Sequence, residues 1–101
     1  MRSAWVMKLK AGQGADYKRK HDEIWPEIVA LLKSEGIHNY SIYRHGLILF
    51  AYLERPDVAG PTTEAVDPVL LKWWEWMEPH METDGTSRPL SWPVEEVFRL
   101  D

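Results

Sequence analysis

The chain contains no cysteine, which removes disulfides and thiolate chemistry together. It has no apolar run near the roughly 20 residues that a membrane-spanning helix needs. Its first stretch, MRSAWVMKLKAG, places Lys8 and Lys10 where a secretion signal would carry its apolar core. Positive charge is not in excess: 12 Lys and Arg stand against 16 Asp and Glu, a net charge of −4. A nucleic-acid ligand, which requires a basic face, is therefore disfavoured. There is no phosphate loop, because the glycines of Gly12-Gln13-Gly14 are not followed by the required pattern. His21, His38, His45 and His80 include no HExxH and no pair at a usual metal-binding spacing. No serine sits in a nucleophile elbow, and no carboxylate pair demands a glycosidase reading. These absences predict a cytoplasmic protein without a metal site.

What is abundant is tryptophan, with six in 101 residues. That length suits one domain, residues 1–101, with one core. Trp73 and Trp74 are adjacent and Trp76 follows in the run KWWEWM. On a helix, neighbours point about 100° apart, so the three rings cannot all face one core. Leaving one in water forfeits about 1.5–3 kcal/mol of burial, which favours a cavity or a partner subunit for it. A flat aromatic ring beside polar groups suits a ligand with one apolar face and many hydroxyls.

The order of elements follows from periodicity. Residues 3–9 read as a strand. A helix begins near Asp16, with Ile24, Trp25, Ile28, Leu31 and Leu32 on one stripe and Gly36 where a C-terminal cap belongs. Pro26 interrupts it, so that either the helix kinks or a second one starts there. Residues 37–44 and 47–54 read as a hairpin turning at His45-Gly46. Residues 55–63 form a loop. A helix over 64–81 carries Val66, Val69, Leu70, Trp73, Met77 and Met81 on its apolar face. Residues 82–93 form a loop, and 94–100 alternate as a closing strand. Strand, helix, strand, strand, helix, strand predicts an α+β fold of the ferredoxin-like βαββαβ plan, an antiparallel sheet with both helices on one face. The other sheet face then needs a cover, which predicts a homodimer joined face to face on the sheets.

Two clusters suit chemistry. Tyr17 and His21 lie one turn apart on the first helix, on the side that also carries Ile24 and Ile28. They either pack there as half-buried residues or line the mouth of a pocket. Histidine can give or take a proton near neutrality. Tyr40 shares one side of its strand with His38 and Ile42 and reaches the same pocket if that side faces the helices; otherwise it packs in the sheet. Trp73 continues the core stripe, Trp74 lies at its edge, and Trp76 lies further round, suited to a subunit contact.

The stretches AWVMKLKAG, YKRKHDEIWPEIVALLKSEGIHNYSIY, LLKWWEWM and EEVFRLD resemble the L-rhamnose mutarotase family. The most specific pieces are Y-x-x-x-H-x-x-I-W-P-E, G-x-H-N-Y-S-I-Y and the tryptophan pair before a methionine. The resemblance implies a dimeric ferredoxin-like fold. It also implies interconversion of the α and β anomers of L-rhamnopyranose without a cofactor. It further implies that His21 is the proton donor and that Tyr17, Tyr40, Trp73 and Trp74 contact the sugar. The sequence departs from the family in the Pro- and Gly-rich loop 55–63, in Trp76, and in Val66-Asp67 where the family usually carries threonine–aspartate. Three alternatives share this scaffold or site: a mutarotase for another 6-deoxy or related aldose, a small dimeric oxygenase, and a sugar-binding module without catalysis.

Overall fold

A computed structural model of the chain describes residues 1–56 and 67–101. In chain order these form β1 (Arg2–Lys8), α1 (Gly14–Asp22), α2 (Pro26–Ser34), β2 (His38–His45), β3 (Ile48–Glu54), α3 (Pro68–Met77), a 3-10 turn (Glu78–His80) and β4 (Ser91–Pro93). The four strands are antiparallel neighbours in the order β2-β3-β1-β4. Along β3, Leu49, Ala51 and Leu53 are buried while Ile48 and Phe50 are open, the period of two expected of a sheet covered on one side. Met7, Leu9, Leu49 and Ala51 of the sheet side meet Tyr17, Ile28, Trp73 and Met77 of the helices in one core. Among the described residues no helix is long and apolar enough to cross a membrane.

The Pro26 alternatives resolve into two helices. α1 ends at Asp22, the residue whose carbonyl a continuing helix would crowd against the proline ring. Trp25 is extended (φ −64°, ψ 136°), and Pro26 opens α2 at its first position, where a missing N–H costs nothing. Gly36 caps α2 with φ +76°, and Ile37 N–H donates back to the Leu32 carbonyl at 3.1 Å.

Four expectations are corrected. The hairpin turn falls on Gly46-Leu47, between the pair His45↔Ile48, and not on His45-Gly46. Gly46 at φ +60° supplies the left-handed residue that such a two-residue turn requires. The helix expected over 64–81 is α3, beginning at Pro68 with the Asp67 side chain accepting from Val69 N–H at 2.8 Å. It ends at Met77, because Pro79 has no N–H to bond the Glu75 carbonyl. Met81 bridges Leu9 in a strand-like contact instead of continuing the helix. The expected start at Glu64, Val66 on the stripe, and most of the loop 55–63 lie outside the described residues.

The closing strand is the largest correction. β4 is Ser91–Pro93, inside the expected loop, and residues 94–100 are outside the sheet. The register explains why. Trp5 pairs with Pro93 and Met7 with Ser91, so each further step along the tail retreats one step toward the start of β1. Val94 N–H still reaches the Ala4 carbonyl at 3.1 Å, and the Glu96 carboxylate still pairs with Arg2. Beyond that, β1 has no residues left to pair with Val97, Phe98 and Leu100. The alternation is real, but among the described residues no strand pairs with it.

Candidate active site

A cleft of about 930 Å³ opens between α1, α2, the inner side of β2 and α3. Tyr17, His21, Tyr40, Trp73 and Trp74 all line it. The i, i+4 spacing on α1 sets Tyr17 and His21 ring over ring, with centroids 4.3 Å apart. His21 in turn meets the edge of Trp73 at 5.3 Å and 87°. Trp73 is buried and serves core and cleft wall together, whereas Trp74, one residue on, is half-buried at the cleft. The adjacent pair thus divides its labour as the 100° helical step requires.

His21 Nδ1 lies 3.1 Å from the Tyr17 carbonyl oxygen. The carbonyl can only accept, so Nδ1 carries the hydrogen and Nε2 is left to exchange a proton with a bound molecule. Burial holds the His21 pKa below its ordinary value, against the opposing pull of the Tyr17 carbonyl and the Asp22 carboxylate. Both phenols stay protonated. Tyr17 is raised above the ordinary tyrosine range by burial and then by the neighbouring Tyr40. Burial pushes Tyr40 up to about 12. Tyr40 still leaves 38% of its surface open and packs 5.9 Å from Trp5, so its ring stands at the edge of the cleft. Two hydroxyl donors, one imidazole and two indoles therefore face one space, a set that can hydrogen-bond several hydroxyls, move a proton and cover an apolar face.

His38 does not join Tyr40 on the cleft side. The register of β2 on β3 steps from His38↔Glu54 to Ser41↔Tyr52, three residues against two. That bulge turns His38 to the exposed face with Glu54. Trp76 is not left facing outward alone. It packs at 5.2 Å from Trp25 and 5.4 Å from Trp73, and the Lys20 ammonium sits 4.2 Å from its ring centre.

Arg44 also lines the cleft and escaped the sequence reading. The signal was available, because Tyr40, Ile42 and Arg44 alternate along one side of β2. Its guanidinium rests on the first turn of α1, where a Cβ on Gly14 would come within 1.7 Å of Nη1. Lys18 and Asp22 line the same rim and are paired with each other at 2.8 Å. Among the described residues, no three or more His, Asp or Glu gather as a metal site.

The family model described as L-rhamnose mutarotase matches residues 2–100. A protein of Mesorhizobium japonicum named L-rhamnose mutarotase is 42% identical over 99 residues, covering 96% of this chain and 94% of its own length. One of the same name from Agrobacterium fabrum is 43% identical over 99 residues, covering 96% and 92%. The crystal structure of an L-rhamnose mutarotase from Formosa agariphila superposes with a TM-score of 0.89 at 36% identity, covering 100% of this chain and 99% of that one. With matches of this extent in both sequence and structure, the chain belongs to the L-rhamnose mutarotase family.

Proposed function

We propose that this chain is an isomerase that interconverts the α and β anomers of L-rhamnopyranose, with His21 as the general acid. The observation that carries the reading is the convergence of Tyr17, His21, Tyr40, Trp73 and Trp74 on one cleft in a chain of this family. Relatives of matching length that bear the name L-rhamnose mutarotase favour it over an oxygenase or a binding module on the same scaffold.

The chemistry is small. The imidazolium N–H of His21 gives its proton to the ring oxygen as the C1–O5 bond breaks. The anomeric hydroxyl loses its proton to water, leaving the open-chain aldehyde. Rotation about C1–C2 presents the other face of the carbonyl. The C5 hydroxyl then attacks that face, its proton returns to His21, and water reprotonates O1. Every bond and proton is restored, so no redox partner enters. Tyr17 and Tyr40, protonated across the working range, hydrogen-bond sugar hydroxyls. Trp73 and Trp74 cover the apolar ring face and the methyl group of a 6-deoxysugar.

The protein is read as one ferredoxin-like domain over residues 1–101, working in the cytoplasm as a homodimer. The strand order and the helices on one side of the sheet support the first point. Exposed Tyr43, Phe50 and Trp92 on the other side support the dimer, together with a tail whose Val97, Phe98 and Leu100 are 86%, 78% and 84% open.

His21→Ala tests the assignment. Anomer exchange followed by saturation-transfer NMR should fall by about 10²–10⁴-fold toward the spontaneous rate while circular dichroism stays unchanged. Undiminished exchange would overturn the role of His21. Repeating the measurement with L-fucose and other aldoses defines the sugar range.

A further inference from the structure

Asn39 does not line the cleft, yet its backbone is unusual. Its φ of +48° lies in the left-handed region that most side chains avoid and asparagine tolerates. It falls in the bulge of β2, where paired residues jump from His38↔Glu54 to Ser41↔Tyr52. A left-handed residue at the first bulge position is a recurring way to insert one extra residue in a strand. Asn39 and Tyr40 occupy the gap, so regular pairing does not hold the backbone from which Tyr40 projects. A side-chain bond ties the gap to β3: Asn39 Nδ2 donates to Glu54 Oε2.

The two ends of β2 make competing demands. A straight ladder counted from His38↔Glu54 would set Tyr40 opposite Tyr52, on the exposed face. A ladder counted from the hairpin end, His45↔Ile48, sets it with Ile42 on the cleft side. The bulge reconciles the two, and Asn39 both adopts its backbone angle and anchors it. We infer that Asn39, bonded to Glu54 across the strand pair, is a positioning residue that aims Tyr40 into the cleft.

The inference rests on the reading of Tyr40 as a sugar contact, and the test separates the two. Asn39→Gly accepts φ +48° but loses the bond. Asn39→Asp sets a carboxylate against Glu54. The double variant Asn39→Asp with Glu54→Gln restores one hydrogen bond with donor and acceptor exchanged. In the two single variants, KM for L-rhamnose should rise about threefold to tenfold, the effect of one loosened hydrogen bond, with kcat much less changed. The nuclear Overhauser contact between Tyr40 and Trp5, whose rings lie 5.9 Å apart, should weaken in step. The double variant should recover both readouts.

Parental KM and an intact Tyr40–Trp5 contact in Asn39→Gly and Asn39→Asp would overturn the inference. So would a double variant no better than Asn39→Asp. Should Asn39→Asp fail to fold, Asn39→Gly decides alone. An unchanged KM in Tyr40→Phe would instead remove the sugar-contact reading, and the Tyr40–Trp5 contact would then decide the role of Asn39.

Discussion

The role proposed for His21 starts from a disadvantage set by its own surroundings. Burial lowers its pKa below the ordinary 6.5, so at neutral pH the ring is mostly uncharged. The same burial makes its imidazolium a stronger acid toward any acceptor in the cleft. If the protonated ring is the form that acts on bound sugar, kcat/KM falls as pH rises through the His21 pKa. That limb should therefore lie below pH 6.5, and His21→Ala should abolish it. A limb rising over the same interval would make the uncharged ring the entering form and recast His21 as a base. The phenols add no limb there, because both Tyr17 and Tyr40 hold their protons far above it. At this scale the sequence was informative where spacing alone decides position. Tyr17, His21 and Trp73 follow from helical steps; Arg44 went unnamed, although strand parity with Tyr40 and Ile42 would have placed it. His38 was misplaced because one left-handed backbone angle at Asn39 reverses the parity of everything before it.

Among the elements, α1 and α3 must hold a fixed separation for His21 to meet Trp73. Lys20 contributes to that separation. Its ammonium donates to the Trp76 carbonyl at 2.6 Å, near the C-terminal end of α3, and lies over the Trp76 ring. Burial lowers the Lys20 pKa, with Arg19 adding to the effect and Asp16 opposing it. Lys20→Met keeps the apolar stem and removes the bond. It should cost about 1.5–3 kcal/mol, the range for a hydrogen bond to a charged group. In a domain of this size that reads as a Tm lower by roughly 5 °C or more, with Lys20→Arg recovering much of it. An unchanged Tm in Lys20→Met would show that α1 and α3 hold together without the tie. Pro26 announced a kink or a break between α1 and α2 from sequence, whereas the expected helix ran through Pro79 to residue 81 and overshot the end of α3. The boundaries of β4 were not legible in the same way. Alternation is a local property of residues 94–100, whereas joining a sheet depends on how much of β1 remains unpaired beside them.

For the whole molecule, the helices shelter one side of the sheet and leave Tyr43, Phe50 and Trp92 on the other. The tail beyond Pro93 adds Val97, Phe98 and Leu100 to the uncovered apolar surface. A chain of 101 residues buries too small a share of its surface to leave such a patch idle at little cost. Sedimentation at micromolar concentration should give about twice the 11.8 kDa chain mass. Removing residues 94–101 should shift the species toward the single chain. A lone protomer for the intact protein would leave the sheet face and tail without the cover assigned to them. The expectation of a second copy was available from sequence through the one-sided helix pair. The part proposed for the tail was not, since a pairing strand is what the alternation of residues 94–100 predicts.

Trp25, Trp73 and Trp76 stand within 5.2–5.4 Å of one another, centre to centre. Transition dipoles at such spacing mix, and the coupling falls with the cube of their separation. The native arrangement therefore writes a split ultraviolet signature into the polypeptide itself. Because Trp73 also touches His21, the same chromophores carry an optical record of the imidazole beside them, legible without any label.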